Sequence, residues 1–370
     1  VTVVASVVAL LALAVPALDM RLGLPDGGSE PEGSLAKTAY TITEDSFGAG
    51  ANGPLLVAAE LPDGLNEAGI QRSQLTVAKA LADLDDVRAV APVAVSEDGR
   101  TAAFQVVPEE GPNSVSTNEL VNAIREMPAV NGDITLGVAG ATAVAIDVSQ
   151  GLNDVLLPYL AVVVGLSLLI LILVFRSILV PLIATGGFVL SLLATYGMVV
   201  AVFQKGIGAE WIGLDSTGPI LSFLPILLVG ILFGLAMDYQ LFLASGMREA
   251  YVHGDPARVA VARGFRAGRS VVIAAGLIMV SVFGGFIFAE SVMIRSMGFG
   301  LALGVLLDAF IVRMLLMPAL MHLLGPSAWW LPKWLDRILP NVDVEGAGLE
   351  RAHGPVAASE DTVRRERIGV

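Results

Sequence analysis

The sequence predicts an α-helical membrane protein: a six-helix (1+5) transmembrane bundle with an α+β domain inserted after the first helix. Three observations carry this. Hydrophobic residues make up 55% of the 370 and charged residues only 15%, and the mean hydropathy of +0.75 exceeds what a soluble domain carries. Six apolar runs approach the roughly 20 residues needed to cross a bilayer. A long polar stretch separates the first run from the second, whereas short loops join the others.

The runs lie at 1–18, 155–175, 179–203, 219–246, 270–288 and 297–323. The first has no charged region ahead of it and no convincing small-residue cleavage site after it. It is expected to be a helix cut at its start, in a chain that is itself a fragment. Residues 19–152 form the insert. Strand-like alternation at 54–61, 87–95, 101–107 and 134–139, with helical spacing at 66–84 and 117–127, gives the order βαββαβ. That order is the split βαβ, ferredoxin-like arrangement, a fold that hosts many unrelated functions. Residues 153–324 are expected to hold the five-helix bundle, 325–340 a tryptophan-bearing amphipathic helix on the membrane surface, and 341–370 a charged, disordered tail.

Orientation follows from the short loops, because Lys and Arg accumulate on the cytoplasmic side. Arg248, Arg258, Arg263, Arg266 and Arg269 lie between the fourth and fifth runs, against a lone Lys205 between the third and fourth. The arginine-bearing end and the tail are therefore expected in the cytoplasm, and the insert outside it.

Charged residues inside membrane spans cost several kcal/mol and normally face a bundle interior or a water path. Asp238, Asp308 and Arg313 are the three found there. At 1.5 Å per residue, Asp238 lies about 12 Å and Arg313 about 15 Å from the cytoplasmic ends of their helices, a similar depth, and Asp308 about 22 Å. Two repeats, Gly230-xxx-Gly234-xxx-Asp238 and Gly300-xxx-Gly304-xxx-Asp308, line two glycines and a carboxylate along one helix face. Small residues at that spacing let helices approach closely, so both aspartates are expected to point into a packed interior. Burial raises a carboxyl pKa and a nearby cation such as Arg313 lowers it, a balance suited to loading and releasing a proton. Tyr239 is expected to donate its hydroxyl to a carboxylate on a facing helix.

Other chemistries are excluded or unsupported. There is no Gly-xxxx-Gly-Lys-Ser/Thr phosphate loop. The run Gly213-Leu214-Asp215-Ser216-Thr217-Gly218 has one residue too many before its serine for a nucleophile elbow. His253, His322 and His353 share no ligand spacing, and cysteine is absent. No enzyme, metal site or cofactor is expected. The net charge of -13 argues against a nucleic-acid partner.

Several stretches resemble one family. They are Leu22-Gly23-Leu24-Pro25-Asp26-Gly27, Phe47-Gly48-Ala49-Gly50-Ala51-Asn52-Gly53-Pro54, Phe233-Gly234-Leu235-Ala236-Met237-Asp238-Tyr239, Ala267-Gly268-Arg269-Ser270, Leu307-Asp308 with Arg313 and Met317-Pro318, and Ala328-Trp329-Trp330 with Trp334. In order and spacing the chain is similar to the C-terminal half of the MMPL (mycobacterial membrane protein large) transporters of the resistance-nodulation-division superfamily. The resemblance implies a twelve-helix pump whose second half this is, with the insert as its porter domain. It implies a proton relay through Asp238 and Tyr239, with Asp308 and Arg313 as supporting charges, completed by the N-terminal half of the same pump. It further implies proton-driven export of lipid or other hydrophobic cargo across a bacterial inner membrane. Gln240 departs from the family pattern, where a carboxylate often follows the Asp-Tyr pair, as does Ala274, where the other half commonly has a serine. Membrane lipids, cargo and the missing half are the expected partners, and a homo-oligomer is an open alternative. Two other functions fit the layout: a non-transporting lipid- or sterol-sensing scaffold, whose Asp238 would be dispensable, and a superfamily member assisting protein export.

Overall fold

A peptide group in hydrocarbon has no water to bond to, so an apolar run satisfies its backbone internally as a helix. The protein, described from a computed structural model, is defined for residues 1–214 and 216–339; the predicted tail at 341–370 lies outside the described residues. Among the described residues, six helical spans are long and apolar enough to cross a membrane: Thr2–Asp19, Ala141–Phe175, Leu179–Gln204, Leu224–Val252, Ala257–Phe288 and Val292–Trp329.

The first span is helix α1 (Thr2–Ala14), ending in a tight turn around Pro16. A short strand β1 (Leu22–Gly23) and helix α2 (Leu35–Phe47) follow. Helix α2 has no counterpart among the sequence expectations. Ser34 caps it by accepting the Lys37 amide, and Gly48 ends it at φ +89°. The insert continues as β2 (Leu55–Glu60), α3 (Glu67–Ala82), β3 (Val87–Val95), β4 (Thr101–Pro108), α4 (Val115–Glu126) and β5 (Thr135–Ala139). Strands β2 to β5 form one antiparallel sheet in the order β3-β4-β2-β5. Each helix therefore connects two parallel strands with a third lying between them, and the two units interleave. Leu55, Val57, Phe104 and Val106 point from the sheet into a core completed by Val77, Leu81, Leu120 and Ile124 of α3 and α4.

Helix α5 (Ala141–Phe175) joins the sheet to the bundle without a break. Its 35 residues extend about 52 Å, well beyond a hydrocarbon core of about 30 Å. The N-terminal turns dock onto the insert: Ile146 enters the sheet core, the Thr142 hydroxyl donates to the Gly53 carbonyl, and Arg125 holds Asp147 through both oxygens at 2.6 and 2.8 Å. Helix α6 (Leu179–Val199) is the most enclosed of the bundle and packs against α1 and α5. Before helix α7 (Leu224–Val252), strand β6 (Ile220–Leu221) pairs in parallel with β1. The Ser149 and Ser222 hydroxyls meet at 2.7 Å beside it.

Helix α8 (Ala257–Gly285) begins four residues after α7 ends, so Arg258, Arg263, Arg266 and Arg269 stand on its first turns. The sequence reading placed them in a loop; hydropathy marks where a helix meets lipid, not where it stops. At the α7–α8 crossing a Cβ on Gly264 would lie 2.6 Å from the Met247 Cα, with backbone on that side. Gly264→Val should therefore destabilise the bundle by about 1–3 kcal/mol or more, visible as a lower midpoint in thermal unfolding of the solubilised protein.

The last span comprises α9 (Val292–Leu306), a ten-residue π-helical stretch Leu307–Leu316, and α10 (Met317–Leu324). Beyond it the expected amphipathic helix is broken into a turn, Gly325–Trp329, and a short α11 (Lys333–Ile338). Pro332 accounts for the interruption, since it disfavours helical backbone at the preceding residue. Arg176 holds α11 through the Asp336 carboxylate at 2.5 Å and its carbonyl at 2.9 Å, and Trp329 stacks on Tyr251.

Candidate functional site

Successive residues of an α-helix point 100° apart, so Asp238, Tyr239 and Gln240 on α7 face three directions. Gln240 is fully buried and Tyr239 is 8% exposed. Asp238 is exposed, as are Gly230 and Gly234 above it on the same face. This corrects the expectation that both aspartates point into a packed interior. Asp238 makes no hydrogen bond or ion pair among the described residues. A Cβ at Gly234 would meet nothing within 4 Å, and one at Gly230 would approach only the Tyr159 hydroxyl, at 3.0 Å.

The second glycine repeat behaves differently. Gly300, Gly304 and Asp308 are all buried, and the first two take leucines from α7: a Cβ at Gly300 would lie 3.1 Å from Leu228, and one at Gly304 2.8 Å from a Leu232 methyl. Leu228 and Leu232 are one turn apart, so α7 presents a leucine ridge to this helix and its own glycines to the outside.

Asp308 is 5% exposed and Arg313 is fully buried. Five residues apart in an α-helix, they would point about 140° away from each other. The π-helical stretch changes this, because its i→i+5 bonding sets residues five apart over one another. Arg313 Nε donates to Asp308 Oδ2 at 3.1 Å, and Arg313 Nη1 donates to Gln240 Oε1. Asp238, expected at a similar depth to Arg313, lies on the other side of α7 from Gln240, two residues and about 200° away. Arg313 is therefore the counter-ion of Asp308. The network is incomplete: Arg313 Nη2, Asp308 Oδ1 and Gln240 Nε2 are buried without hydrogen-bond partners among the described residues.

Tyr239 was expected to donate to a carboxylate; its hydroxyl instead points to Met279 Sδ on α8 at 3.0 Å. The sequence reading gave no role to Met279 or Tyr159, and nothing in their spacing marks them. No cluster of His, Cys, Asp and Glu suited to a metal occurs among the described residues. At the insert–bundle junction a cavity of about 470 Å³ is lined by Leu22, Asn113, Ile146, Ser149 and Asn153, among others.

The sequence of this chain matches one family model over residues 62–340, described as the MMPL family. The chain belongs to the MMPL family. Its relatives include membrane protein YdfJ of Bacillus subtilis, 44% identical over 95% of this chain and 48% of that protein. The mycolic acid-containing lipids exporter MmpL11 of Mycolicibacterium smegmatis is 34% identical over 92% of this chain and 36% of its own length. A heme uptake protein, MmpL11 of Mycobacterium tuberculosis, is 32% identical over 93% and 36%. The chain thus spans less than half the length of each of these three relatives.

Proposed function

We propose that this chain is the second half of a twelve-helix, proton-motive-force-driven exporter of lipid or other hydrophobic cargo across the bacterial inner membrane. The observation that carries the reading is the exposed, unpaired Asp238 on a glycine face of α7. A carboxylate facing lipid costs several kcal/mol, and glycines there suit close helix contact; together they call for a partner surface. The N-terminal half of the same pump supplies it, in keeping with the fraction of YdfJ this chain covers. Asp238 and Tyr239 form this half's share of the proton relay, and Asp308 with Arg313 are supporting charges. Protonating Asp238 removes its charge and lets the two faces close; releasing the proton parts them.

The insert, 19–152, is read as a ferredoxin-like porter domain outside the cytoplasm, a reading supported by the interleaved βαβ units. The arginines at the opposite end of the bundle, 153–324, support a cytoplasmic location for that end, including the membrane-surface segment 325–340 and the tail 341–370. Lipid and heme, the molecules named for the two MmpL11 relatives, share a large apolar surface. The junction cavity falls within the size range of small-molecule sites and is the candidate cargo passage. The test is flipping of a labelled lipid by the full-length protein in proteoliposomes under an imposed pH gradient. Flipping that follows the gradient and collapses with a protonophore supports the reading; flipping indifferent to the gradient overturns the proton coupling.

A further inference from the structure

Helix α8 starts with four arginines, and their pairing is unequal. Arg263 is held by Asp255 at 2.7 Å. Arg258, Arg266 and Arg269 are exposed and make no hydrogen bond or ion pair among the described residues. A positive-inside signal needs only charge near the membrane; it does not need three free guanidinium groups on one side of a helix. At 100° per residue, positions 258, 262, 266, 269, 273 and 277 fall within one stripe about 100° wide. Arg258 and Arg269 are about 16 Å apart along the axis, and Arg266 and Arg269 about 4.5 Å. Ala262 stands on the stripe between Arg258 and Arg266, and the exposed Ser270 lies about 20° beyond its edge. Farther along, about 12 Å beyond Arg269, comes Leu277 at 53% exposure.

The stripe therefore passes from free guanidinium groups, by way of the half-buried Ile273, to the apolar Leu277, which no described residue covers. A glycerophospholipid likewise passes from a charged phosphate to apolar acyl chains. We propose that this face of α8 binds an anionic phospholipid of the adjoining leaflet, its phosphate between Arg266 and Arg269 and an acyl chain along Leu277. Guanidinium donates to phosphate through two parallel N–H bonds, which an ammonium cannot reproduce. Three unpaired cations within 16 Å or so favour a lipid of net negative charge over a zwitterionic one, because a choline or ethanolamine group would bring its own cation among them.

The experiment is native mass spectrometry of the full-length protein titrated with phosphatidylglycerol or with phosphatidylcholine of the same chains. The wild type should retain phosphatidylglycerol over phosphatidylcholine by more than about tenfold, and R258Q/R266Q/R269Q should lose that preference. R258K/R266K/R269K, which keeps the charge, should retain part of it and loses the fork geometry. Equal retention of the two lipids by the wild type overturns the proposal even if the glutamine variant fails to insert. An unchanged preference in a correctly inserted glutamine variant also overturns it. Transport plays no part in this readout, so its outcome stands apart from that of the flipping assay.

Discussion

Asp238→Asn is expected to abolish gradient-driven transport by the full-length protein while leaving its fold intact. The substitution keeps the size of the side chain and removes only its capacity to bind a proton reversibly. Asp238 has no hydrogen-bond or salt-bridge partner among the described residues, so the amide leaves no counter-ion stranded. Stability should then stay within about 0.5 kcal/mol of wild type, as for other substitutions away from buried networks. The check is lipid flipping under an imposed pH gradient beside the thermal midpoint of the same preparation. Transport reduced to the level of a collapsed gradient, with an unmoved midpoint, assigns Asp238 to the proton path. Undiminished transport makes it dispensable and favours the scaffold function over the pump.

Arg313→Met should do the reverse and strike the fold first. It leaves the Asp308 carboxylate buried at 5% exposure with no cation beside it, and removes the donor that holds Gln240. Taking one partner from a buried ion pair costs about 3–5 kcal/mol, enough to lower the thermal midpoint by several degrees. Adding Asp308→Asn neutralises the stranded charge, so the double variant should recover much of the loss. Recovery separates an uncompensated charge from a simple packing defect, since the second substitution restores no volume. Arg313→Lys should fall between them, because an ammonium on a flexible stem cannot reach Asp308 and Gln240 with the same planar fork.

Much of this architecture can be read from residue order, and the failures have a common cause. The six spans and the strands around Val57 and Phe104 are legible because each is a contrast, apolar against polar, at a period that fixes its element. Inside the bundle the contrast vanishes, since lipid-facing and core-facing positions are both apolar. The sequence therefore identifies Gly230, Gly234 and Asp238 as one face without saying whether that face looks in or out. For the same reason the sequence does not tell that Gln240, and not Asp238, is the α7 side chain that meets Arg313. The pairing of Asp308 with Arg313 was hidden by the π-helical stretch, because an α-helical spacing rule sets them about 140° apart. Helix α2 escaped because Leu35 and Ile42 stay exposed, at 90% and 59%, and so leave no buried stripe to count. The arginines of α8 were placed in a loop because charge, not helix propensity, decided the reading.

Helix α5 gives the molecule a lever. About 20 Å of its length projects past the hydrocarbon layer, clamped to the sheet by Ile146, Thr142 and the Arg125–Asp147 pair. A rigid rod that leans by about 10° about the membrane surface sweeps its far end through about 3–4 Å, by the length just given. Pro158, inside the helix, removes one backbone hydrogen bond near the base of that arm and gives it a place to flex. In the proposed pump, the stroke delivered to the insert is set by where the arm pivots, and lengthening or shortening α5 would change the throw without touching a single charged residue.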